Sequence, residues 1–94
     1  MDYPSELRSF FNEDGTLKQW PSKMKKKLMV VDWLGEKFET GRKYTETEVN
    51  IVLNGLHSFN DPVSLRRMLI EGGGLKRTQD GSEYWKEDTE KLVE

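Results

Sequence analysis

Four local signals between residues 45 and 82 constrain the fold more than anything else in the chain. Thr45-Glu46-Thr47-Glu48 reads as a capping box, with Thr at the cap and Glu three residues on. It opens a helix predicted over 46–57, with Val49, Val52, Leu53 and Leu56 as its core stripe. Asp61-Pro62 repeats the start signal, because Asp caps and Pro suits the first helical position. That second helix is predicted over 62–71 and stops at Gly72-Gly73-Gly74, where a glycine can take the left-handed conformation. Leu75–Thr78 and Glu83–Lys86 then flank Gln79-Asp80-Gly81-Ser82, and Asp-Gly marks a tight turn, so a hairpin is predicted over 75–86. Two capped helices joined by about five residues make a helix-turn-helix-like pair, and the hairpin follows as a wing. The order implies an α+β domain of winged-helix-like type.

The first half adds helices to this frame. Pro4 precedes Leu7, Phe10 and Phe11 at helical spacing, predicting an extra N-terminal helix over 4–11 that Asn12–Gly15 ends. Thr16-Leu17-Lys18 suits a short extended piece, and Trp20-Pro21 is a break. Ser22 is the expected cap of a helix over 23–38, with Met24, Leu28, Val31, Leu34 and Phe38 along one stripe. Met29 and Trp33 lie on its other side, so this helix is apolar on two faces. Coverage of Trp33 by Leu7, Phe10 and Phe11 is the favoured reading, since large exposed apolar patches are uncommon in monomers. A partner contact there is the alternative.

Ninety-four residues fit one domain, expected over 1–86, with 87–94 as a poorly ordered acidic tail. The chain carries a net charge of −2, yet without residues 87–94 it bears 14 bases against 13 acids. A nearly neutral body lends only slight support to a nucleic-acid partner, so the arrangement of charge matters more than its sum. There is no cysteine, which excludes a disulfide framework and a thiolate metal site. The longest apolar run, Leu28–Val31, is far too short to span a bilayer, and the first six residues lack the regions of a signal peptide. A cytoplasmic protein without a membrane partner is expected.

The helix over 62–71 occupies the recognition position. Leu65, Met68 and Leu69 share its inner face, Ser64, Arg67 and Glu71 its outer face, and Arg66 its edge. Arg suits bidentate contact with guanine or phosphate, and Ser can donate to phosphate. Lys76 and Arg77 on the first wing strand would add charge to the same surface. The plainer alternative is a solvated face on which Arg67 and Glu71 pair at i, i+4. Lys23, Lys25, Lys26 and Lys27 open the long helix; a basic cluster can hold phosphates, although cations there oppose the helix dipole. His57, the only histidine, sits near a helix C-terminus, where an imidazolium is favoured and can cap carbonyls. It has no companion ligands at metal-binding spacing.

Nothing in the chain supports catalysis. There is no cysteine nucleophile and no serine elbow. The glycine triplet follows a helix and lacks the spacing of either phosphate-binding fingerprint. Acid pairs such as Glu46/Glu48 are explained by capping. No enzyme activity, cofactor or metal is expected.

Four stretches together resemble a bacterial domain family of unknown function: Leu17–Lys23 through Trp33-Leu34, Tyr44–Asn50, Leu65–Leu69 and Gly81–Trp85. That family occurs as short stand-alone proteins and joined to ArsR-type winged-helix transcriptional repressors. The resemblance spans about residues 10–86 and implies a winged-helix-like fold with a role near transcriptional regulation. Lys23, Lys25, Lys26, Arg66, Arg67, Tyr84 and Trp85 fall where the family pattern carries basic or aromatic residues.

These readings converge on a DNA-binding or transcription-regulatory domain whose candidates are Ser64, Arg66, Arg67, Lys76, Arg77, Lys23, Lys25 and Lys26. Duplex DNA is the expected partner. The alternative is a protein-interaction module that keeps the same scaffold and uses Met29, Trp33 or Ile51 against a transcriptional regulator or a second copy. A continuous basic face over 62–71 and the hairpin favours DNA, and interspersed acids favour the interaction module.

Overall fold

A computed structural model describes residues 2–87. A 3-10 helix, Ser5–Phe10, is followed by α1 (Met24–Gly35), α2 (Glu46–Asn54) and α3 (Pro62–Glu71). The antiparallel hairpin of β1 (Lys76–Arg77) and β2 (Tyr84–Trp85) closes the chain. This is the α+β, winged-helix-like order. Among the described residues, no helix is long and apolar enough to cross a membrane.

The capped helices start where their signals stand. Thr45 accepts from the Glu48 amide and Glu48 reaches back to the Thr45 amide, completing the capping box of α2. Asp61 accepts from the Ser64 amide at 3.2 Å, and Pro62 opens α3. Gly73 has φ +80°, the left-handed conformation that ends α3 without a Cβ penalty. Gly72 is needed for a different reason: a Cβ there would lie 2.9 Å from Val31 Cγ1, so α1 and α3 meet too closely for a side chain.

The helix ends depart from the sequence pattern. Helix α2 stops at Asn54, three residues short of 57, because the next backbone groups are used elsewhere. The Leu17 amide donates to Leu56 O at 2.8 Å, and the Ser58 amide donates to Leu17 O at 2.9 Å. The expected extended piece at 16–18 thus pairs with the α2–α3 connection and lengthens it to Gly55–Asp61. Ser22 does not cap α1; Lys23 stands at that position with no side-chain bond. At its other end α1 gives way after Gly35 to tight turns, with Phe38 still buried against Tyr44. The N-terminal helix is a short 3-10 turn, and Phe11 leaves it extended to pair with Leu17.

The core runs from Leu7, Phe11 and Leu17 through Val30, Val31, Trp33 and Leu34 to Leu53, Leu65 and Leu69. Trp33 is 2% exposed, edge-on to Phe11 at 4.8 Å, and its indole N–H donates to Asp2 O at 2.9 Å. Tyr3 stacks on the far side of Phe11. Trp33 is therefore not a partner contact: the N-terminal aromatics cover it. Met29 is half-buried, packed against the core and lining a surface pocket with Pro4 and Glu36. Conversely, Met24 and Leu28 lie outside the core at 64% and 49% exposure, although they continue the stripe of Val31. The residues that could cover the first turn of α1 pack only against its second half.

Strand β2 is held on both edges. Tyr84 exchanges backbone hydrogen bonds with Tyr44, each 2.8 Å, so β2 lies between β1 and the segment before α2. The Thr78 amide donates to Glu83 O at 3.0 Å, so the wing turns over the expected residues 79–82, and the Gly81 amide closes that turn on Thr78 O at 3.0 Å. Thr78 Oγ1 and the Ser82 amide and hydroxyl donate to Asp80, and the Thr78 hydroxyl bond leads in holding that carboxyl below its ordinary value. Of the expected acidic tail, Glu87 lies 3.9 Å from Lys76, and residues 88–94 lie outside the described residues.

Candidate nucleic-acid interface

Helix α3 and the hairpin form the walls of a groove of about 450 Å³, and the start of α2 closes it. Three arginines line it: Arg66 and Arg67 from α3 and Arg77 from β1. Their placement follows from local structure. Leu65 and Leu69 are buried beneath α3, which turns Arg66 to the flank facing α2 and leaves Arg67 in solvent. In the hairpin, Arg77 pairs with Tyr84 and Lys76 with Trp85. Successive strand residues point to opposite faces. Arg77 therefore shares the groove with Tyr84, while Lys76 lies on the other face beside Glu87. The two wing cations expected to act together are separated by the pleat.

The three arginines are not equivalent. Arg66 is only 16% exposed in its side chain; it donates to Asn50 Oδ1 at 2.5 Å and lies 3.9 Å from Glu46. It holds α3 against α2, and a ligand would have to break those contacts to recruit it. Among the described residues, Arg77 donates to the carbonyls of Thr78 and Gln79 at 3.3 and 3.4 Å and pairs with no acid. Arg67 makes no ion pair or hydrogen bond with any described residue, so the i, i+4 pair with Glu71 that the plainer alternative offered is not formed. Arg67 and Arg77 are the open cations of the groove.

Acids are interspersed here, so the basic face is not continuous. Glu46 and Glu71 line the groove. Glu46 is held by Arg66, and the Tyr84 hydroxyl donates to it at 3.5 Å. Glu83 is engaged by Lys43 at 3.4 Å. Glu71, at the end of α3, is the groove acid left without such a partner among the described residues. At the other end of α3, Asp61 occupies the amide that a phosphate would seek. Its bonds to Ser64 lead in holding its carboxyl below the ordinary 3.8, so an anion already sits there. Ser64 is exposed but serves that cap, which weighs against its expected phosphate contact.

Lys23, Lys25 and Lys26 do not join this groove. They ring the first turn of α1, where the Lys26 ammonium lies 5.5 Å from the Phe10 ring centre. Ile51 is 64% exposed on α2, beside Arg42 and Glu48. His57 is buried and does cap a carbonyl, with Nδ1 donating to Leu53 O at 2.7 Å. Nε2, however, accepts from the Asp61 amide at 2.7 Å, so the ring is the neutral tautomer rather than an imidazolium. Sequence reasoning missed this second bond, although the spacing His57 to Asp61 places a cap residue within one turn of the ring.

Residues 16–86 match the family described as uncharacterized proteins conserved in bacteria, DUF2087. No curated protein and no solved structure matches the chain. The matched span covers α1, α2, α3 and the hairpin and leaves out the 3-10 helix. The chain belongs to that family.

Proposed function

We propose that this family member is a cytoplasmic transcription-regulatory domain that contacts duplex DNA through α3 and the hairpin. The observation that carries the reading is the pair Arg67 and Arg77, two open cations on opposite walls of one groove at the recognition helix. Most acids of that face are consumed by internal partners, which leaves the groove slightly positive. The helix-turn-helix order and the resemblance to domains joined to ArsR-type repressors support the same reading. Arg67 is the residue suited to a guanine edge, and Arg77 to a backbone phosphate. With so few contacts, binding is weak and its salt slope is shallow.

The test is a duplex titration from ~50 mM salt upward, since each phosphate contact contributes a slope of about −0.9 in log affinity against log salt. Arg67→Ala/Arg77→Ala should flatten that slope by about 0.9, the share of the one phosphate that Arg77 contacts, with a further loss of about 1–3 kcal/mol at the base that Arg67 reads. Arg66 is left intact because its loss strands Glu46. Equal affinity of both proteins, or no binding by either while both stay folded, sinks the duplex reading.

A second reading, an interaction module on the same scaffold, is favoured by the acids between the arginines and by exposed Ile51. Ile51→Asp should then abolish self-association or capture of a regulator partner without lowering the melting temperature.

A further inference from the structure

We propose that the projecting first turn of α1 is a contact for an anionic lipid bilayer surface, a role separate from the groove of α3. Between Gly15 and Val31 the chain has five lysines, no arginine and no acid, so the rest of the protein carries −7 against this pole. The fold concentrates the pole further. The Lys18 amide donates to Phe10 O at 2.8 Å, and the Lys26 ammonium lies over the Phe10 ring, so Lys18 joins the helix tip. None of the five lysines forms an ion pair with a described acid. Their position costs helix stability, because cations oppose the dipole at an N-terminus and α1 has no acid in its first turn.

Charge alone would suit any polyanion. The apolar residues narrow the choice. Residues 22–25 are exposed around the whole first turn, so the tip is convex, and Met24 and Leu28 stand on it one turn apart. A phosphate backbone gains nothing from two exposed thioether and isobutyl groups, whereas the headgroup and acyl boundary takes such groups in. A partner helix would seek a cleft rather than a convex tip. Lysine is a hydrated point charge suited to a diffuse anionic field, unlike the bidentate fork of arginine. No spanning segment is needed for this mode.

Vesicle flotation of the full chain tests the proposal, with phosphatidylcholine vesicles compared with vesicles carrying about 30% phosphatidylglycerol at ~100 mM salt. Binding only to the anionic vesicles is expected. Each lysine near such a surface is worth about fivefold, so Lys18→Glu/Lys23→Glu/Lys25→Glu should lower binding at least about 100-fold. All three side chains are exposed, and circular dichroism should show the fold unchanged. Met24→Ser/Leu28→Ser should lower binding roughly tenfold at unchanged charge. Arg67→Ala/Arg77→Ala should float like wild type, which separates this surface from the duplex reading. No preference for anionic vesicles overturns the proposal. So does full binding by Met24→Ser/Leu28→Ser, which would make the tip a plain polyanion site for nucleic acid or an acidic protein.

Discussion

The two halves of α1 share one apolar repeat and meet opposite fates. Val30, Val31, Trp33 and Leu34 are sealed by the N-terminal aromatics on one side and by α3 on the other. One turn earlier, Met24 and Leu28 continue the pattern into solvent among lysines. Periodicity tells which face of a helix is apolar. How far along the helix that face is covered depends on where the neighbours end, and here they end near residue 29. A stripe that outruns its partners becomes surface.

The contrast can be broken most forcefully at Trp33. Truncating a buried aromatic costs roughly 3–5 kcal/mol, so Trp33→Ala should lower the denaturant midpoint steeply, and a change of a few tenths would mean that its cover is loose. Gly72→Ala probes the other clamp. The new methyl would collide with the stiff, β-branched Val31 and approach Met68 O, which a Cβ at Gly72 would meet at 3.1 Å. Forcing α1 from α3 in this way should cost about 1–3 kcal/mol, and a neutral result would show that the two helices can part freely. Lys25→Glu tests the open end and should reverse the sign. Replacing a cation by an anion in the first turn should stabilise the fold by about 0.3–1 kcal/mol, and destabilisation would reveal a partner for Lys25.

What was legible in the sequence were features whose physics is local. The capping box at Thr45, the Asp61-Pro62 start and the left-handed glycine after α3 depend on residues within one turn of each other, and each stands where its signal lies. The misplaced ends depend on distant strands. Nothing near Leu56 announces that Leu17 will take its carbonyl, so α2 reads three residues too long. The candidate site divides the same way. Arg67 was legible because helical spacing alone exposes it. Arg66 looked equally available, since its partners Glu46 and Asn50 belong to another helix. Lys76 and Arg77 were separable by strand alternation, because the first wing strand was expected over Leu75–Thr78 and neighbours on a strand point to opposite faces. Trp33 was half legible: its two-faced helix demanded a cover, and Phe11 and Tyr3 supply it.

The short wiring around His57 has a consequence in time as well as in space. The Gly55–Asp61 connection is a loop by shape, and loop amides ordinarily exchange with solvent through small, frequent openings. The amides of Ser58 and Asp61 are instead held by the Leu17 carbonyl and the His57 ring. Those two hydrogens can leave only when Leu17 or the buried imidazole leaves, and both are parts of the core. The Ser58 and Asp61 amides should therefore exchange more slowly than other amides of the connection, and hydrogen exchange that is equally fast at both groups would show that the core releases them. The entry to α3 is tied to the core at both of these amides.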